Sequence, residues 1–108
     1  ADRIWRSGEP LHAPHLVDVE VTQVLRRYAR RGELPAHHAS EALDVLARFP
    51  MTRHAHEPLL GRIWALRENF TAYDAAYVSL AEALGATLLS RDAKLAQAPG
   101  HRARVEML

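Results

Sequence analysis

The apolar positions of this 108-residue chain recur at helical spacing in some segments and form short uninterrupted runs in others. Spacings of three and four predict helices over residues 15–31, 35–49, 57–69 and 71–85, and the stop signals Gly32, Pro50 and Gly85 lie where three of them should end. Short apolar runs at 10–13, 51–54, 86–90 and 104–107 are predicted strands, and a short helix over 93–98 separates the last two.

Strands that alternate with helices predict an α/β fold, in which a parallel sheet is covered by helices on both faces. The length suits a single domain, residues 1–108, with one core. Residues 2–8 have the pattern of the end of a helix, and the chain begins at Ala1 without methionine. We therefore expect the domain to be incomplete at its N-terminus.

Composition narrows the function classes only slightly. The formal net charge of +1 argues against strong overall attraction to nucleic acid or anionic membrane, and 48% hydrophobic residues argue against a disordered chain. There is no cysteine for disulfide or thiolate chemistry. With no apolar run of membrane-spanning length and no signal peptide, we expect no membrane association and take the cytoplasm as the default compartment.

Three carboxylates occupy unusual positions: Glu20, Asp74 and Asp92. The first two lie on helical stripes that should face a core, and Asp92 directly follows the apolar run 86–91. Their helical neighbours are Leu16, Val17 and Val24 for Glu20, and Phe70, Tyr77 and Val78 for Asp74. Burying an unpaired carboxylate costs several kcal/mol, so a pairing partner or a cation is expected.

Each acid also has an ordinary structural explanation. Asp74 could compensate the dipole of a helix capped by Thr71, and Asp92 could cap the short helix that follows it. Glu20 could reach solvent from the edge of its stripe, or pair with Arg27 or Lys94. Taken together, three acids that converge at the carboxyl ends of parallel strands would suit Mg²⁺ or Mn²⁺ and phosphodiester hydrolysis by a metal-activated water.

The segments HAPHLVDVEVTQVLRR, TAYDAAYVSLAEALGATLLSRDAKLA and PGHRARVEML resemble the PIN-domain ribonucleases, specifically the VapC toxins of bacterial toxin–antitoxin pairs. The resemblance covers nearly all the chain, and its most specific parts surround Asp74 and Asp92. It implies a Mg²⁺- or Mn²⁺-dependent endoribonuclease toxin in which Glu20, Asp74 and Asp92 form the acidic cluster. It also implies a homodimer and inhibition by a VapB-type antitoxin whose C-terminal segment occupies the active-site groove.

The chain departs from the family pattern in one respect. The opening apolar strand, whose aspartate completes the acidic set in the family, is absent before Ala1. Because that strand is central in the family's sheet, its loss should remove a metal ligand and split the hydrogen-bonded ladder. We expect the native protein to have it, whether the chain is a fragment or the strand is cleaved, disordered or supplied by another molecule.

Other polar residues suggest weaker hypotheses. Ser90 could add a hydroxyl to the substrate or to the water shell of the metal, although a polar strand-end residue is the simpler interpretation. Arg26 and Arg27 lie in a basic helix end with Arg30 and Arg31. These arginines could contact RNA phosphates or acidic antitoxin residues, or could simply be favoured there by the dipole at the helix C-terminus.

Two further features could suggest other functions. The seven histidines share no zinc-like spacing, so solvated or capping roles are favoured over a zinc site. Trp5, Trp64, Tyr73 and Tyr77 could stack bases, but core or dimer contacts are the commoner use. Two rivals to the nuclease remain open: a non-catalytic PIN-like interaction module, and a helical nucleic-acid binder without chemistry.

Overall fold

The computed structural model describes residues 8–108, which form parallel strands flanked by helices. The predicted helix end at residues 2–7, and Trp5 within it, lie outside the described residues. In chain order the elements are β1 (Leu11–Pro14), α1 (Leu16–Arg30), α2 (Ala36–Arg48), β2 (Met51–His54), a 3₁₀ turn (Glu57–Leu59), α3 (Leu60–Ala65), α4 (Ala72–Leu84), β3 (Thr87–Ser90), α5 (Ala93–Gln97) and β4 (Arg104–Met107).

Most predicted elements are confirmed with shifts of one or two residues, and the exception is the helix expected over 57–69. That segment begins as a 3₁₀ turn containing Pro58, and α3 then ends at Ala65. The amide of Leu66 donates to the carbonyl oxygens of both Arg62 and Ile63, a tightening that closes the last turn. The prediction was therefore wrong about the end of this helix, although its start was correct.

The strands form two separate parallel pairs within residues 8–108. In the first pair β1 runs beside β2, from Leu11 opposite Met51 to Pro14 opposite His54. In the second pair β3 runs beside β4. This arrangement confirms the α/β class with parallel strands, and it matches the split ladder expected from the sequence.

Helix α4 contains six buried residues, more than any other helix of the described chain. The Thr71 hydroxyl caps it by accepting from the Asp74 amide at 3.1 Å, and Gly85 ends it at φ +62°, a conformation that favours glycine. The helix contacts both β1 and β3. Its inward residues join a core whose buried members are Leu66, Phe70, Ala75, Val78 and Leu95.

Helix α1 differs from the expectation, because none of its residues is fully buried. The stripe around Glu20 was expected to face a core, but in residues 8–108 it is only half-covered. An ion pair holds the start of the helix: the Arg53 guanidinium donates to both oxygens of Asp18, at 2.8 and 3.0 Å. Arg53 also donates to the carbonyl oxygen of Leu46 at 2.6 Å, so α1, β2 and α2 are joined.

None of the described helices is both long enough and apolar enough to cross a bilayer.

The Glu82 carboxylate joins α4 to α3 and to the loop before β4. It accepts from Arg62 at 2.7 and 3.0 Å and from the Arg102 amide at 2.6 Å. Its side chain is only 6% exposed. The hydrogen bond from Arg62 lowers the pKa of Glu82 below its ordinary 4.5 and outweighs burial, which acts in the opposite direction.

We expect Glu82→Gln to lower the free energy of unfolding by about 2 kcal/mol at pH 7, because the charge-assisted hydrogen bonds are lost. Since the folded pKa is depressed, the contribution is complete above pH 4.5 and is lost as the pH falls through the folded value. Urea unfolding from pH 7 to 3 should therefore give a shallower acid dependence for the variant. Glu68→Gln is the control, because its ion pair with Arg67 is exposed. Equal losses of stability in Glu82→Gln and Glu68→Gln would contradict the stabilising role assigned to the Glu82 carboxylate.

Candidate functional site

Glu20 and Tyr77 connect α1 to α4 through one short hydrogen bond. The Tyr77 hydroxyl donates to Glu20 Oε1 at 2.5 Å, across 57 residues of sequence. Glu20 is half-buried, and the cationic partners considered from the sequence, Arg27 and Lys94, do not take this place. A neutral hydroxyl therefore fixes the orientation of the carboxylate without neutralising its charge.

Acidic side chains surround the Tyr77 hydroxyl. Its pKa is raised above the ordinary value of 10, chiefly by burial, then by the hydrogen bond to Glu20, and then by the negative charges of Glu20, Asp18 and Asp74. The structure therefore brings Glu20 and Asp74, which are 54 positions apart in the sequence, into the electrostatic field of the same phenol. Tyr77 remains a protonated donor at neutral pH.

Asp74 lies in the first turn of α4, as the sequence indicates. Its side chain is exposed, whereas its helical neighbours Phe70 and Val78 are buried. The carboxylate thus leaves the apolar stripe at the open end of the helix. This position satisfies the helix dipole, and it also keeps the carboxylate oxygens accessible.

Asp92 and Ser90 form a capping arrangement at the end of β3. The Asp92 carboxylate accepts from the Lys94 amide at 2.9 Å and caps α5, which is the ordinary role considered for it. The Ser90 hydroxyl accepts from the Asp92 amide, also at 2.9 Å. Asp92 is exposed, and its second carboxylate oxygen is not used by this cap.

The donor chemistry of the three acids fits Mg²⁺ or Mn²⁺, but the described arrangement does not complete a site. Within residues 8–108, no three His, Cys, Asp or Glu side chains are close enough together to hold one metal ion. Convergence of Glu20, Asp74 and Asp92 on one ion therefore stays a prediction, and we derive no catalytic step through an ion. The sequence pattern indicated the acids, but it missed the role of Tyr77. The only signal for that role was the position of Tyr77 one helical turn after Asp74.

A shallow groove of about 340 Å³ runs along α1 beside Glu20. Its surface is mainly apolar, and Val19 and Tyr73, exposed to 67% and 63%, contribute to it. Arg27 lies at this groove, whereas Arg26 is exposed elsewhere on the helix. The other residues that line the groove are Leu16, Gln23 and Val24.

Comparisons with known proteins identify relatives over most of the chain. The sequence model of the family described as PIN domain matches residues 1–100. A VapC ribonuclease of Mycobacterium bovis is 46% identical over 89 residues, which are 82% of this chain and 70% of that protein. Ribonuclease VapC1 of Mycobacterium tuberculosis is 43% identical, over 90% of this chain and 74% of its own length. Ribonuclease VapC12 of the same species is 39% identical, over 94% of this chain and 78% of its own length.

We expect Tyr77→Phe to lower the free energy of unfolding by about 1.5 kcal/mol, because the hydrogen bond to the Glu20 carboxylate is lost while the ring is kept. The folded pKa of Tyr77 is raised, so this contribution is complete below pH 10 and is lost as the pH rises through the folded value. Denaturant unfolding at pH 7 measures the difference. Tyr73→Phe, at an exposed position beside the groove, should leave stability unchanged; a comparable loss in that control would contradict the role assigned to the Tyr77 hydroxyl.

Proposed function

We propose that this chain, which belongs to the PIN-domain family and within it to the VapC group, is an endoribonuclease toxin that hydrolyses RNA phosphodiester bonds with Mg²⁺ or Mn²⁺. Glu20, Asp74 and Asp92 are the proposed catalytic and metal-binding residues. A divalent ion bound by these acids would supply an activated water and charge stabilisation. The names of the relatives support the nuclease activity, and the acidic surroundings of Tyr77 support the position of the site.

The contacts of Glu20 give the proposal its strongest support. Glu20 is half-buried and bonded by the neutral hydroxyl of Tyr77, whose pKa the negative charge of Asp74 also raises. By contrast, Asp18 and Glu82 are paired with Arg53 and Arg62. Two carboxylates that act on the same hydroxyl and take part in none of the ion pairs of residues 8–108 leave a negative field there, which favours a divalent cation.

The chain's own residues have separate roles in this proposal. Tyr77 orients Glu20, and the Asp92 amide is held by Ser90 so that the free carboxylate oxygen keeps its direction. Arg27 lies along the groove beside Glu20, where it could contact an RNA phosphate, and Arg26 extends the positive charge on the same helix. Ser90 and the two arginines are thus proposed as supporting residues around the acids.

The proposed partners are RNA, a VapB-type antitoxin and a second copy of this chain, and the proposed compartment is the cytoplasm. The apolar groove beside Glu20 supports the antitoxin proposal, because an apolar segment lying there would cover the carboxylate. An acidic residue of that segment could pair with Arg27 at the same groove. The homodimer rests on family membership and is checked by sedimentation of the purified protein.

A non-catalytic interaction module is the second candidate, because residues 8–108 hold no group of three potential metal ligands close enough to bind one ion. Such a module would bind the antitoxin and leave RNA intact. A helical nucleic-acid binder that uses the basic end of α1 would bind RNA in the presence of chelator, and its affinity would fall steeply with salt. The nuclease is distinguished from both by turnover that a chelator abolishes.

We expect the purified protein with Mn²⁺ to cleave structured RNA, and Asp74→Asn to lower the rate by about 100-fold or more, because a carboxylate proposed to hold the ion is replaced by a neutral amide. Glu20→Gln and Asp92→Asn should also lower the rate of RNA cleavage. Asp44→Asn is the matched control, since Asp44 is an exposed acid on α2. Equal cleavage by the wild type and Asp74→Asn, on gel-resolved RNA fragments, would reject the metal-site assignment.

We expect Val19→Asp to weaken binding of the VapB-type antitoxin by about tenfold or more, because a charge is placed in the apolar groove. Val45→Asp is the control: Val45 is similarly exposed, at 57% against 67%, but it lies on α2. Titration calorimetry with the antitoxin measures both variants. The same loss of affinity in both would show that the groove on α1 is not the binding surface.

A further inference from the structure

Two histidines meet on the first strand pair, which β1 and β2 form. His12 lies opposite Thr52 on β2, and His54 lies two positions beyond Thr52, so both imidazoles project from the same face of the pair. The Nδ1 atom of His12 is 2.8 Å from the Nε2 atom of His54. The ring centroids are 5.1 Å apart.

At 2.8 Å, these two nitrogens must share one proton. One nitrogen carries hydrogen and the other offers its lone pair, because two lone pairs or two N–H groups at this distance repel each other. A divalent ion that accepts two imidazole nitrogens can replace that hydrogen. In that exchange the donating ring moves its proton to its other nitrogen, and both rings remain neutral ligands.

We propose that His12 Nδ1 and His54 Nε2 form a binding site for a nitrogen-preferring divalent transition-metal ion, of which Zn²⁺ is the probe. Metal–nitrogen bonds of about 2.0–2.1 Å place two ligand atoms about 2.9 Å apart at a right angle and about 3.4 Å apart at a tetrahedral angle. The distance of 2.8 Å between the two nitrogens is close to the right-angle value, and a tetrahedral Zn²⁺ requires them to separate by about 0.6 Å. Because the His12 side chain is exposed, small ring rotations can turn both lone pairs toward one ion.

The neighbouring histidines do not offer the same geometry. His56 uses its Nε2 atom to accept from the Leu16 amide at 3.0 Å, and its ring centroid is 6.1 Å from that of His15. The described residues contain no three-ligand group, so the two imidazoles would be completed by water and the ion would exchange readily. Nitrogen ligands also separate this site from the carboxylates, which suit harder ions.

An ion at this site would clamp β1 to β2. The His15 amide already donates to the carbonyl oxygen of His54 at 2.8 Å, so the end of β1 is held at β2 just before α1 begins. A ligand that binds the folded pair and not the unfolded chain raises the melting temperature. This inference does not depend on nuclease activity, because its test measures binding and stability alone.

The experiment titrates Zn²⁺ into the purified protein by calorimetry and measures melting with Zn²⁺ and with chelator. The wild type should bind one ion and gain stability, whereas His12→Gln and His54→Gln should lose both effects. His37→Gln is the matched control, because His37 and His38 have ring centroids 4.2 Å apart and are also exposed. The His37 and His38 rings are in contact, but no hydrogen bond joins their nitrogens in the described residues, so this control should behave as the wild type.

Two further measurements make the outcome decisive. Melting curves in chelator establish that His12→Gln is folded, and nuclear magnetic resonance of the imidazole protons should show His12 and His54 shifting together when Zn²⁺ is added. Excess Mg²⁺ should not displace the Zn²⁺. Unchanged Zn²⁺ binding in folded His12→Gln, or its loss in His37→Gln, would overturn the proposal.

Discussion

The packing of α4 against strands of both pairs is the constraint on which the described fold depends. Small inward residues, among them Ala75, Ala76 and Ala81, let the helix lie close to β1 and to β3. The same face holds Ser79, whose hydroxyl is buried without a partner in residues 8–108. The helix therefore joins two strand pairs that share no hydrogen-bonded ladder in this part of the chain. Anything that displaces α4 moves both pairs and the acid at its first turn.

The placement of Glu20 follows from this packing. Helix α1 buries no residue completely, and two polar contacts add to its packing against α2 and β1: the ion pair of Asp18 with Arg53 and the hydrogen bond of Glu20 with Tyr77. The hydrogen bond from Tyr77, a residue of α4, fixes the Glu20 carboxylate relative to that helix. A tyrosine suits this role better than an arginine, because a guanidinium would neutralise the charge it positions.

Local features of the fold and site could be predicted from the sequence, and contacts across the chain could not. The Thr71 cap, the Gly85 stop and the Asp92 cap depend on residues within a few positions. The first two were predicted, and the third was the ordinary alternative considered for Asp92. The early end of α3 was missed because it depends on how the chain tightens at Leu66. The half-covered face of α1 was missed because periodicity shows that a face is apolar but not what covers it.

The contacts that matter most at the site are the long-range ones. Tyr77 is 57 residues from Glu20, and His54 is 42 from His12. No pattern within a helix or strand links such positions. The residue pattern indicated the three acids, and the resemblance to VapC toxins implied that they form one cluster, because family motifs record long-range geometry that periodicity does not contain. It did not supply the hydroxyl that orients one of them, since Tyr77 is explained equally well as a core residue in the sequence alone.

The distribution of arginines separates structural acids from candidate functional ones. Asp18 and Glu82 each accept hydrogen bonds from a guanidinium and hold helices in place. Among the ion pairs of residues 8–108, neither Glu20 nor Asp74 takes part, although both act on the Tyr77 hydroxyl. Asp74 is exposed and favoured by the dipole of α4, and Glu20 has the Tyr77 hydroxyl as its partner, so neither carboxylate needs a guanidinium to hold the fold. In the proposed function, the negative charge that both acids keep near the Tyr77 hydroxyl would favour a divalent cation.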